Sequence, residues 1–331
     1  MAAATIASTY RAPRWLPDAH SQTIWPAVYA PRPAIGYQRE RWETPDGDFV
    51  DLDWAIDPQP APPDGDSRPL LVVFHGLEGG SRSHYARQLA AGAIARGWRS
   101  VVPNFRGCSG EPNRLPRAYH SGDSDEIDWL LRRLKRERAP AAPLYPVGMS
   151  LGANALLKWL GERGTDAALA AAAAALSAPH DLHAGAVALS RGFNRIYCWH
   201  FLLTLRRKSL RMLQQYPGLL DRQRVLSARD FFDFDDAVTA PLHGFRSALD
   251  YWQRSSCGQF LGGIAVPTLV LNAKNDPFQP ASALTPPARA SRAVALEYPD
   301  AGGHGGFIDG PFPGRRDWMV QRIFAHLADP P

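Results

Sequence analysis

Cysteine is scarce in this chain, with three residues in 331, at positions 108, 198 and 257. They are odd in number, far apart and never in a CxxC pair, which excludes a disulfide framework and fits a reducing, cytoplasmic setting. Lysine is nearly as rare, supplying four of the 37 basic residues, so arginine carries the net charge of +5. The arginines are scattered. Small clusters at Arg132–Arg138 and Arg206–Arg211 alternate with leucine, as solvated faces of amphipathic helices do, so nucleic acid is not an expected partner. No apolar run approaches the ~20 residues a bilayer span needs, and Ala167–Ala178 is both too short and too weakly apolar. The first twenty residues contain no apolar core of a secretory leader. Neither GxGxxG nor GxxxxGK[ST] occurs, so nucleotide binding is not expected. His180 and His183 have a zinc-like spacing without a third ligand nearby, so no metal or other cofactor is expected either.

What is present suits one large globular unit. Hydrophobic residues make up 45% and charged residues 21%, enough for a sizeable core. Residues 1–40, rich in Pro, Trp and Arg, read as an ordered arm wrapped on that core. Tyr37–Glu43 and the alternating Phe49–Trp54 flank a turn at Pro45-Asp46-Gly47-Asp48, a β-hairpin signal. The stretch Pro58–Arg68 reads as a polar surface loop. From Pro69 short apolar strands alternate with helices: Leu70–Phe74, Tyr85–Arg96, Ser100–Pro103, Asp123–Arg138 (capped by Asp123 or Ser124), Leu144–Val147, Leu151–Glu162 and a strand within Ala170–Leu176. That grammar predicts a mostly parallel sheet covered by helices on both faces. Residues 180–262 are helical by pattern and break the alternation, which resumes with Pro267–Leu271, Ala293–Tyr298 and the helix Arg315–Leu327. An insertion of that size reads as a cap over the edge where open α/β sheets hold ligands.

The chemistry converges on Gly148-Met149-Ser150-Leu151-Gly152. This G-x-S-x-G follows an apolar strand and opens a helix, the setting a nucleophile elbow requires, and the crowded turn demands small flanking residues. A serine hydroxyl needs a base. His304, on the glycine loop Gly302–Gly306 after the last strand, is the candidate. Asp276, directly after the strand Pro267–Leu271, is the acid expected to hold the His304 tautomer, with Asp300 and Asp309 as second choices. The N–H groups of Leu151 and of Leu77, in the loop His75–Gly80, are the candidate oxyanion donors. The acidic residues Asp230, Asp233, Asp235 and Asp236 are expected to cap and anchor a lid helix, Cys108 and Cys257 to be small structural residues, and Arg106 and Tyr119-His120-Ser121 to pack the arm, with His20.

Several stretches together resemble the α/β-hydrolase superfamily and, within it, the YheT-like group related to plant EMB8 and animal ABHD hydrolases. They are WLPDAHSQT from Trp15, HGLEGGSRSHYARQLA from His75, NFRGCSGEPNRLPRAYHSGDSDEIDWL from Asn104, GMSLGAN from Gly148, DFFDFDDAVTAPLHGFRSALDYW from Asp230, NAKNDPF from Asn272 and GGHGGF from Gly302. The resemblance implies the α/β-hydrolase fold and a carboxylic-ester hydrolase with a triad at Ser150, Asp276 and His304. It also implies activity on short-chain esters or acylglycerols. Asn275 departs from the second Asp often found before the triad acid. Two other readings stay open: an acyltransferase using the same triad, and a non-catalytic binding protein on the same fold. The basic, leucine-rich Phe201–Leu213 raises membrane-surface contact as an option, but burial of its stripe in the cap is favoured.

Overall fold

The computed structural model describes residues 3–58 and 66–330, so the loop expected at 58–68 lies mostly outside the described residues. Among the described residues nine strands form one sheet: β1 (Ala4–Thr5), β2 (Tyr37–Glu43), β3 (Phe49–Ala55), β4 (Leu70–Phe74), β5 (Arg99–Asn104), β6 (Leu144–Met149), β7 (Ala173–Leu176), β8 (Thr268–Leu271) and β9 (Val294–Glu297). Their spatial order is β1-β9-β8-β7-β6-β4-β5-β3-β2, parallel throughout except for the β2/β3 hairpin and the β3–β5 pair. The expected hairpin and the strand ending at Leu176 are both present.

Alternation along the strands splits the core in two. Leu70, Val72 and Phe74 face one side, which α3 (Ser124–Arg138) and α4 (Leu151–Arg163) cover. Leu71 and Val73 face the other, against α2 (His84–Ile94) and α11 (Asp317–Ala328). A parallel sheet so covered is buried on both faces. At the start of α3 the expected cap differs. Asp123 stands at the N-cap position without a capping bond. Its carboxylate accepts from Arg117 at 2.6 Å instead, while Ser124 donates to Glu162 at 2.6 Å. Both side chains pair with a neighbouring polar group rather than with the helix end.

Between β7 and β8 the chain is helical and builds its own core around Cys198, Leu202, Val225 and Phe234. The helices are α5 (Leu182–Leu189), α6 (Arg195–Gln215), α7 (Arg222–Ser227), α8 (Phe231–Phe234), a π turn over Asp235–Thr239, α9 (Ala240–Leu242) and α10 (Ala248–Ser255). Asp230 accepts the Asp233 N–H at 3.0 Å, Asp233 pairs with Arg229, and Asp236 accepts the Ala248 N–H and pairs with Arg224. Asp235 binds Thr239 and the Trp252 indole N–H, and burial pushes its carboxyl up to about 6. The acidic run thus caps and anchors these helices. No helix among the described residues is long and apolar enough to cross a membrane.

The arm does more than wrap. Ala4–Thr5 adds to the sheet edge as β1, parallel to β9. Farther on, α1 (Ala19–Val28) is capped by Asp18, whose carboxylate accepts the His20 and Ser21 N–H groups.

Candidate active site

The turn from β6 into α4 is tight. Ser150 sits at φ 53°, ψ −117°, a strained conformation for a residue with a side chain. Its N–H donates to the Leu176 carbonyl at 2.9 Å, tying the turn to β7. The glycines on either side are required by contact. A Cβ on Gly148 would lie 2.5 Å from Ala153 Cα, and one on Gly152 would lie 2.4 Å from the Phe74 carbonyl oxygen.

Above this turn three distant residues meet. His304 Nε2 lies 2.9 Å from Ser150 Oγ, and His304 Nδ1 lies 2.8 Å from Asp276 Oδ2. Asp276 follows β8 with its carboxylate fully buried, and its other oxygen accepts the Phe278 N–H at 2.8 Å. With Nδ1–H donating to the carboxylate, Nε2 is left with its lone pair toward the serine. The Phe278 ring stacks on the imidazole at 4.2 Å between centroids and shields it. The second-choice acids are elsewhere: Asp300 pairs with Lys274 on the surface, and Asp309 accepts the N–H groups of residues 317 and 318 at the start of α11.

The His304 loop is held from below by α1, which sequence reasoning did not foresee. Gln22 is 3% exposed. Its Oε1 accepts the Gly302 N–H at 2.8 Å and the Asn275 amide at 2.9 Å, while its own amide donates to the Leu16 carbonyl. Thr23 Oγ1 accepts the His304 N–H, Asn275 Oδ1 the Gly303 N–H, and Ser177 Oγ the Gly305 N–H. Only glycine fits at 303 and 306, where a Cβ would lie 2.8 Å and 2.0 Å from the Gln22 backbone. The run WLPDAHSQT was the available signal: buried polar residues on a short amphipathic helix want specific partners.

Leu77 and Leu151 flank the serine in the wall of one cavity. Neither N–H makes a hydrogen bond among the described residues, and that of Leu151, first in α4, has no preceding helical turn to donate to. The Leu77 loop is pinned on both sides: the Gly76 N–H donates to the Tyr85 hydroxyl at 2.8 Å and the Glu78 N–H to the Tyr119 hydroxyl at 2.7 Å. His75 ties the loop to β5, donating from Nδ1 to the Gly76 carbonyl and accepting the Phe105 N–H at Nε2. Burial lowers its pKa to about 4, so it is neutral and structural.

Arg106 and residues 119–121 do not pack the arm. Arg106 bonds Glu126, Asp46 and Asp48, so it anchors the hairpin turn. Tyr119 also donates to Glu78, the His120 ring lies against His243 with centroids 4.3 Å apart, and the Ser121 N–H donates to Tyr251, joining the Leu77 loop to the helical insertion. His20, by contrast, joins the arm to the helical insertion, touching Tyr197 at 3.1 Å and Phe193. Cys108 lies 3.4 Å from Lys208, which pairs with Glu78, and burial pushes its thiol up to about 11, so it is no nucleophile at neutral pH. Cys257 is fully buried. His180 faces Thr285 and His183 stacks on Trp252, and no group of three metal-ligating side chains gathers among the described residues.

The cavity holds about 330 Å³. Ser150, His304, Leu77 and Leu151 form its floor, and Leu182, Leu189, Phe201, Leu205, Phe231 and Trp252 of the helical insertion form an apolar roof.

A family profile described as alpha/beta hydrolase fold matches residues 69–311. The chain is 40% identical over 312 residues to "Putative esterase YheT" of Escherichia coli (strain K12), covering 94% of this chain and 90% of that one. It is 29% identical over 322 residues to the phospholipase ABHD3 of Mus musculus, covering 96% and 78%. Among solved structures, the Pyrococcus furiosus esterase Pf2001 superposes with a TM-score of 0.55 at 15% identity, over 91% of this chain and 97% of that one, a likeness of fold. With the sheet, the elbow and these matches in hand, the chain belongs to the α/β-hydrolase family and to its YheT-like group.

Proposed function

We propose that this chain is a serine hydrolase of carboxylic esters. The observation that carries the reading is the unbroken relay from Ser150 Oγ through His304 to buried Asp276, opening on an apolar cavity. The names of its relatives, an esterase and a phospholipase, point to the same bond type. Ser150 Oγ attacks the ester carbonyl carbon while its proton passes to His304 Nε2, and the carbonyl electron pair moves onto oxygen. The N–H groups of Leu77 and Leu151 stabilise that oxyanion. Asp276 stabilises the imidazolium and fixes the ring. Collapse breaks the bond to the leaving oxygen, which takes the proton from His304, and the alcohol departs. Water then attacks the acyl-serine by the same proton route, releasing the acid and restoring Ser150. The apolar roof is where the acyl chain lies, which suits short to medium chains or acylglycerols.

The test is Ser150→Ala. Hydrolysis of p-nitrophenyl butyrate is expected to fall by at least ~10⁴-fold with the melting temperature kept, because removing a nucleophile leaves only binding and oxyanion contacts. Turnover retained in that variant would remove Ser150 from the chemistry.

A further inference from the structure

The leucine-rich stripe of α6 is spent inside the cap: Cys198 and Leu202 are buried, and Leu205, Leu210 and Leu213 pack against the same cluster. What remains outside is a different face. Phe193, just before the helix, Ile196 and Trp199 are 49%, 54% and 59% exposed. Arg207, also exposed, continues that face at helical spacing. An apolar group of this size left in water marks an interaction surface.

Charge narrows the partner. From Leu182 to Leu220 the chain has six basic residues and no acidic one. Lys208 is paired with Glu78, whereas Arg191, Arg195, Arg207 and Arg211 are exposed and have no ion-pair partner among the described residues. Aromatic and aliphatic side chains beside uncompensated arginines are what a helix lying in a bilayer interface presents. A second copy of the chain fits worse, since a symmetric contact would set the same cations against each other. The opposite side of α6, through Phe201 and Leu205, roofs the cavity.

We propose that the start of α6 is a docking surface for an anionic lipid bilayer, with Ile196 and Trp199 entering the interface and the neighbouring arginines meeting lipid phosphates. Docked in this way, the cap would stand with its cavity beside the membrane. The binding itself does not depend on whether Ser150 reacts.

Flotation with vesicles of phosphatidylcholine alone, and of phosphatidylcholine mixed with phosphatidylglycerol, tests this on the full chain. The wild type and Ser150→Ala are expected to float equally with the anionic vesicles. The variant Ile196→Ser/Trp199→Ser, which keeps the net charge, is expected to lose binding by roughly tenfold or more. Its hydrolysis of dissolved p-nitrophenyl butyrate should be unchanged, which also shows that it folds, and Trp199→Ser alone gives a milder form of the same loss. Failure of the wild type to float overturns the proposal. So does equal, salt-reversible binding of wild type and double variant, which would be charge attraction alone. A wild-type dimer dispersed by the double variant, without vesicle binding, would assign the face to a second copy.

Discussion

Replacing Gln22 with Leu removes the acceptor on which two loops of the candidate site converge, those after β8 and β9. The side chain touches neither the serine nor the cavity lining. Its Oε1 binds the Gly302 N–H and the Asn275 amide, and Asn275 in turn holds the Gly303 N–H beside His304. Leucine fills a similar volume but leaves the buried Gly302 N–H and the half-buried Asn275 amide without this partner, at about 1–3 kcal/mol for each such group when fully buried. Partial relaxation of the glycine loop recovers some of that, so a stability loss of about 2–4 kcal/mol is expected. The catalytic effect is separate. His304 is fixed by its two ring bonds and by the loop geometry, and a displacement of about 1 Å in a reacting group can cost ~100-fold. The kcat for p-nitrophenyl butyrate is expected to drop 10- to 100-fold at a temperature where the variant remains folded, with KM within about threefold because the acyl cavity is untouched. Thr23→Val, which removes only the acceptor of the His304 N–H, should show a smaller loss in kcat and little in stability. A Gln22→Leu enzyme that melts lower yet keeps its kcat would refute the view that α1 positions the histidine.

Other outcomes follow from the same structure. Burial lowers the pKa of His75, His180 and His326 to about 4 and of His120 and His243 to about 3. Between pH 6.5 and 4 the unfolded chain takes up these protons and the folded chain does not, so stability falls as pH falls. Glu126 and Asp235, raised by burial to about 7 and about 6, act in the opposite sense because the folded state holds their protons. The net is uptake of roughly three protons on unfolding near pH 5.5; denaturant melts at pH 5.0, 5.5 and 6.0 measure it, and a flat profile would contradict the burial of these imidazoles. Gly152→Ala sets a methyl 2.4 Å and 2.5 Å from the carbonyl oxygens of Phe74 and His75. It should lower kcat on the same ester at least ~100-fold along with the melting temperature, since the elbow and the loop that begins at His75 must both move.

The sheet was legible because strands buried on both faces leave uninterrupted apolar runs, and Gly148 and Gly152 marked the elbow because no other residue fits there. The residues of the proposed relay were legible from their places beside strands: Ser150 follows β6 at once, and Asp276 and His304 lie in the loops that follow β8 and β9. What pattern could not disclose was long-range pairing of polar groups. Gln22 and Thr23 reach the His304 loop from about 280 positions away, and Arg106 finds its carboxylates on the hairpin turn rather than on the arm. The short strand Ala4–Thr5 has no periodicity of its own and exists because β9 offers an open edge. Burial of the stripe around Leu202 was foreseen, but the exposed Ile196 and Trp199 on the same helix become visible only once packing decides which face is used.

Reaction with a fluorophosphonate, followed by mass spectrometry of the digested protein, probes the relay at the atom where it acts. A single adduct on the peptide carrying Ser150, at least ~100-fold slower to form in His304→Ala, is the expected result. An adduct on another residue, or undiminished labelling of Ser150 without the imidazole, would contradict the proposal that His304 makes this hydroxyl a nucleophile.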